Sequence, residues 1–71
     1  MLEIEKTVYI PIYTEDIIEE GNLTSSSDWA EIKEAVEDYV LGLDDCDYFL
    51  LDNNDIITIC NTVNNEIHSK D

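Results

Sequence analysis

The side chains that could do chemistry are few and far apart. His68 is the one histidine, and it falls in residues 64–71, which read as a polar tail. Ser25, Ser26 and Ser27 offer hydroxyls, but no histidine stands near them in sequence to activate one, and the run reads as a loop leading to a helix cap. Cys46 and Cys60 have no second Cys or His beside them to complete a zinc site, and two cysteines are too few for a disulfide framework. The carboxylates Asp44, Asp45 and Asp47, with Asp52 and Asp55, have the composition of a calcium loop without the EF-hand ligand order or its central glycine. Two close carboxylates can run glycoside hydrolysis. Among 18 acids, however, some pair always falls at a suitable distance. A chain of 71 residues also has little room for a pocket of several hundred Å³. The reading is therefore of no catalytic residue, no metal site, no cofactor and no enzyme.

Charge carries more information. The chain holds 18 acids, three lysines (Lys6, Lys33, Lys70) and no arginine, for a net charge of −15. Such a surplus repels itself and costs folding free energy, so a chain that keeps it is expected to use the field. Arginine is the preferred group for bidentate phosphate capture, and counterion release on a nucleic-acid backbone needs many cationic contacts. Direct binding to nucleic acid or to an anionic membrane is thereby excluded, and the expected partner is a basic protein surface. No segment approaches the roughly 18–20 apolar residues of a membrane span. The first six residues carry two glutamates and lack the basic and apolar regions of a secretory signal, so the expected location is the cytoplasm.

Hydrophobic residues make up 44% of the chain and cluster into segments, which argues for a fold rather than disorder. Residues 7–13 (TVYIPIY) alternate, with Val8, Ile10 and Ile12 on one face. Pro11 cannot donate to a ladder and places this strand at an edge. Residues 14–20 (TEDIIEE) read as a short helical turn with Thr14 as N-cap and Gly21 as stop, and 22–27 as a loop. Residues 28–43 are a helix: Trp29, Ile32, Val36, Tyr39, Val40 and Leu43 recur at helical spacing. Asp28 with Glu31 has capping-box spacing, and Gly42 lies near the end. Residues 48–51 and 56–60 read as two strands joined by a tight turn at Asn53-Asn54. That register sets Leu50 opposite Ile57, Tyr48 opposite Ile59 and Asp47 opposite Cys60, with Cys46 and Cys60 pointing to opposite faces.

These elements predict one acidic α+β domain over 1–71 with the order β-α-β-β. The expected architecture is a small three-stranded, mostly antiparallel sheet with one main helix packed on one face. Both faces of the 48–60 hairpin are apolar, with Tyr48, Leu50, Ile57 and Ile59 on one and Phe49, Leu51 and Ile56 on the other. One helix covers one face. The other is left for segment 14–23, or for a homodimer interface.

The acids gather into three groups that form the expected partner-binding surface. Glu31, Glu34 and Asp38 make an i, i+3, i+7 row on the helix, with Glu37 beside it. Glu15, Asp16, Glu19 and Glu20 form a second group. Asp44, Asp45, Asp47, Asp52 and Asp55 form a third, around the ends of the first hairpin strand. Duplex DNA carries about one charge per 1.7 Å of axis. A compact domain of this size, about 25–30 Å across, spans roughly 15–18 such charges, close to the −15 here.

The strand at Val8-Tyr9-Ile10 ending at Tyr13 is followed by Gly21-Asn22-Leu23, Trp29, the acidic helix of 31–41 and the 48–52 stretch. Over about residues 8–52 this order resembles a single module of the ArdA-type antirestriction proteins, acidic mimics of B-form DNA from plasmids and phages. The family carries a second glycine where Thr24 and Ser25–Ser27 stand here, and it joins several modules. In size and acidity the chain also looks like small phage anti-CRISPR inhibitors. Either resemblance implies inhibition, in the host cytoplasm, of a nucleic-acid-binding defence enzyme such as a restriction enzyme or CRISPR effector, by occupation of its nucleic-acid channel. The alternative from the residues is an acidic interaction module or regulatory subunit that binds through an exposed apolar sheet face.

Overall fold

The computed structural model describes residues 2–43 and 45–69, and for 45–47 the backbone alone. The chain opens on a hairpin of β1 (Leu2–Glu5) and β2 (Tyr9–Ile12). The two strands are antiparallel, with Leu2 opposite Ile12, Glu3 opposite Pro11, Ile4 opposite Ile10 and Glu5 opposite Tyr9. Side chains alternate across a strand, so Leu2, Ile4, Ile10 and Ile12 face inward. Ile4, Ile10 and Ile12 are buried. Glu3, Glu5, Tyr9 and Pro11 face out, and all four are exposed. Pro11 is on an edge, as its missing N–H requires, because a two-stranded sheet has only edges.

Helix α1 (Thr14–Glu20) follows directly. Thr14 is not its cap. Tyr13 takes that place without a side-chain bond, and its N–H donates instead to the Tyr39 hydroxyl at 3.2 Å. Thr14 is fully buried, its hydroxyl without a partner among the described residues. The helix closes on paired bonds from Leu23 N–H to the Ile18 carbonyl and from Asn22 N–H to the Glu19 carbonyl. Asn22 has φ 51°, so asparagine, and not Gly21, supplies the left-handed residue of this terminus. Gly21 has another role: a Cβ there would sit 2.8 Å from the Ala35 Cβ, so the end of α1 packs backbone-close on the next helix.

Helix α2 (Trp29–Leu41) matches expectation. The Asp28 carboxylate accepts from the Glu31 N–H at 2.9 Å, and Ile32, Val36 and Val40 form the buried stripe.

The C-terminal half departs from the sequence expectation. Residues 45–50 form a short helix, α3 (Asp45–Leu50), and Asn53–Ser69 form one long helix, α4. There is no 48–60 hairpin, no third strand among the described residues and no single main helix, so the order is β-β-α-α-α-α. The pairings Leu50–Ile57, Tyr48–Ile59 and Asp47–Cys60 do not form. Residues 64–69 are helix, not tail, and Ile67 is buried; residues 70–71 lie outside the description. Ile59, Cys60, Val63 and Ile67 are the buried face of α4, at i, i+1, i+4 and i+8. They pack chiefly on α2, with α1 and β1 closing the sides. The β-branched Thr58 and Thr62 fit within the helix by donating their hydroxyls to the Asn54 and Thr58 carbonyls, four residues back, at 2.9 Å.

The start of α4 is built like an N-terminus. Asp55 N–H donates to the Asp52 carboxylate and Asp52 N–H donates to the Asp55 carboxylate, each at 3.0 Å. This is a reciprocal capping box, with aspartate in the place of the usual glutamate.

Candidate functional site

Helices α1 and α2 carry eight of the expected surface acids, and all eight are exposed: Glu15, Asp16, Glu19, Glu20, Glu31, Glu34, Glu37 and Asp38. The two groups meet at one point. Glu20 and Asp38 flank a small cleft of about 210 Å³ floored by Ile17, Gly21, Ala35 and Tyr39. The close approach of Gly21 to Ala35 therefore also brings one acid of each helix to the same cleft, while Glu37 lies on the other side of α2. Along α2, steps of three and four residues advance about 4.5 and 6 Å along the axis.

The third group divides. Asp44 lies outside the described residues, and Asp45 and Asp47 are described by backbone alone on α3. Asp52 and Asp55 serve the fold. Lys6 Nζ lies 2.6 Å from Asp55 Oδ2 and 3.6 Å from Asp52 Oδ2, so the hairpin turn is tied to the α4 cap. The bond to Asp55, aided by the charge of Asp52, holds the Lys6 ammonium above its usual pKa of 10.5. The N–H donated by Asp55, followed by the charge of Lys6, holds the Asp52 carboxyl below 3.8. Asp52 keeps an exposed side and, with Glu37, borders a larger groove. Glu3 and Glu5 on the outer hairpin face add to the negative surface. The alternating Leu2-Glu3-Ile4-Glu5 was the signal for them.

That larger groove has a volume of about 710 Å³ and lies between α2, α3 and the start of α4. Its apolar lining includes Val40, Leu41, Tyr48, Phe49, Ile56 and Ile57. Phe49 is 80% exposed, Leu41 65% and Ile57 49%. The Phe49 ring meets Tyr48 edge-on, centroids 5.7 Å apart. The expected apolar sheet face is absent, but the same residues present an apolar surface on helices.

The groups considered for catalysis are placed structurally. Ser27 Oγ accepts from the Thr24 N–H at 2.8 Å, and the Ser26 N–H donates to Thr24 Oγ1 at 3.2 Å, closing the turn before α2. His68 is exposed on α4, its Nδ1 2.7 Å from the Asn64 carbonyl oxygen of the same helix. Cys60 is a buried free thiol, its pKa raised chiefly by burial; the Cys46 side chain lies outside the description. Among the described residues no group of three or more His, Cys, Asp or Glu is placed to hold a metal ion, and no helix is long and apolar enough to cross a membrane.

The Cα trace measures 36 × 18 × 18 Å. No family model, curated protein or solved structure matches the chain.

Proposed function

We propose that the chain is a non-enzymatic inhibitor that occupies the nucleic-acid-binding surface of a basic protein, its carboxylates standing in for phosphates. The observation that carries this reading is the density of exposed acid on α1 and α2, eight carboxylates in all, of which Glu20 and Asp38 flank one cleft between the two helices. A net charge of −15 over a 36 Å body is about one charge per 2.4 Å of length, against about one per 1.7 Å for duplex DNA. Both lysines among the described residues stand beside carboxylates: Lys6 is held at the α4 cap, and Lys33 stands 4.0 Å from Glu37. Charge complementarity of this kind gives fast, salt-sensitive association. The targets that best fit such a surface are nucleases with a cationic channel, such as restriction enzymes or CRISPR effectors in a host cytoplasm.

Reversal of Glu31, Glu34 and Asp38 to lysine tests the reading, because all three are exposed and leave the core intact. Capture of nucleic-acid-binding proteins from a bacterial lysate at low salt is expected to be lost in the triple variant. Undiminished capture by a folded variant would refute the reading.

A further inference from the structure

The groove between α2, α3 and α4 lies apart from the cleft at Glu20 and Asp38, and of the α1 and α2 acids only Glu37 lines it. Its lining combines apolar side chains with Lys33, Glu37, Asp52 and Asn53, and its volume of about 710 Å³ falls within the range of about 300–1,000 Å³ typical of binding clefts. On the α2 wall it runs from Lys33 to Leu41, eight steps or about 12 Å of helix axis. That matches two turns of a partner helix, whose apolar anchors would recur at i, i+4 and i+7. Phe49 and Leu41 reach into solvent at its mouth, where an isolated chain gains nothing from them.

Charge decides the occupant. Glu37 stands on the α2 wall and Asp52 on the α4 wall. Lys33, the one lysine that lines the groove among the described residues, faces Glu37 at 4.0 Å. A second copy of the chain, itself −15, would set like charges bordering the groove against one another within the Debye length of about 8 Å at physiological salt. A lipid leaflet with anionic headgroups is repelled in the same way. A helix with one apolar face and flanking lysines or arginines meets both features: its apolar face fills the groove and its cations reach Glu37 and Asp52, whose side chains stay 53% and 60% exposed beside Lys33 and Lys6.

We infer that the α2–α3–α4 groove binds a cationic amphipathic helix of a partner protein. This inference is independent of the acidic-face reading, because it turns on Phe49 and Leu41 and not on Glu31, Glu34 and Asp38.

The test uses the whole chain and a synthetic Leu/Lys peptide of about four helical turns, roughly 14 residues. Its controls are a scrambled peptide of identical composition, a Leu/Glu peptide and anionic lipid vesicles. Affinity is read by anisotropy of the labelled peptide, and position by methyl and aromatic NMR shifts. The amphipathic peptide is expected to bind about tenfold or more tightly than the scramble, a difference of about 1.4 kcal/mol. Shifts are expected to centre on Leu41, Phe49 and Ile57, with no binding of the Leu/Glu peptide or vesicles. Phe49→Asp is expected to abolish the preference for the amphipathic peptide. Its added carboxylate would strengthen a purely electrostatic contact, so the variant separates the two causes. Phe49 is exposed, so the variant is expected to keep its circular dichroism spectrum. Leu41→Ser, also at an exposed site, serves as a second probe. Equal binding of the scramble, binding of the Leu/Glu peptide or vesicles, shifts confined to the Glu31–Asp38 face, or a dimer in sedimentation abolished by Phe49→Asp would each overturn the inference.

Discussion

Lys6 Nζ lies 2.6 Å from Asp55 Oδ2, and this pair fastens the turn of the N-terminal hairpin to the first turn of the C-terminal helix. Asp55 is simultaneously half of a capping box with Asp52, so one carboxylate serves helix start and tertiary contact together. In a chain with 18 acids and three lysines, one of the few cations is fixed where it neutralises a structural pair and not the outer acidic face.

The pKa directions give this cluster a pH signature. Asp52 has a folded pKa below 3.8, so its stabilising contribution is present above the unfolded value and is lost as pH falls below about 3.8 through the folded pKa. Lys6 has a folded pKa above 10.5, so its contribution is present below that value and is lost as pH rises through the folded pKa. Urea unfolding of the protein and of Asp52→Asn should show the wild type more stable at neutral pH and the two converging in acid. A constant difference down to the lowest pH would contradict the arrangement.

Helix α4 makes a direct prediction at two isoleucines. Ile59 is fully buried and Ile57 is 49% exposed. Ile59→Ala should cost about 2–5 kcal/mol, enough to unfold much of a small domain. Ile57→Ala, at the surface, should stay within about 0.5 kcal/mol. Chemical denaturation followed at the far-ultraviolet helix signal measures both. Equal losses would instead favour a strand, in which the two side chains share a face.

Gly21 is required for space and not for its backbone angle, since φ is −84°. Gly21→Ala places a methyl 2.8 Å from the Ala35 Cβ and is expected to cost about 1–3 kcal/mol by overpacking. Ala35→Gly in the same chain should recover part of the loss in urea midpoint. At Asn22, φ is 51°, so Asn22→Val should destabilise and Asn22→Gly should be tolerated.

Salt should act in opposite directions on folding and on binding. The self-repulsion of −15 charges is screened as the Debye length falls to about 3 Å at 1 M, so thermal midpoints should rise with sodium chloride. Association with a basic partner should weaken over the same range. A midpoint that falls with salt would show that Lys6 and Lys33 contribute more than the repulsion does.

The elements differ in how readily their sequences disclose them. Helix α2 is written locally, with Asp28 as cap and Ile32, Val36 and Val40 on one stripe, and the structure follows. The strand at Ile10 and Ile12 and the short helix at 14–20 are equally local. Helix α4 is not. Ile56, Ile57, Thr58 and Ile59 are β-branched and read as strand, and the asparagines at 53, 54, 64 and 65 read as turn and tail. The helical spacing of Ile56, Ile59, Cys60, Val63 and Ile67 was nevertheless present, as was the Asp52–Asp55 cap. Burial against α2 overrides the weak local preference. The acids of α1 and α2 could be read as exposed from the helical pattern. The meeting of Glu20 and Asp38 at one cleft could not, because it depends on the close approach at Gly21, and the tying down of Asp52 and Asp55 by Lys6 depends on a hairpin 46 to 49 positions away.

Competition with duplex DNA tests the central claim most directly. The immobilised protein is exposed to bacterial lysate at low salt and then challenged with excess short duplex DNA. The proteins retained are expected to be nucleic-acid-binding, and the duplex is expected to release them because both ligands use one cationic surface. Retention of proteins that the duplex does not displace, or no retention of any nucleic-acid-binding protein, would contradict it.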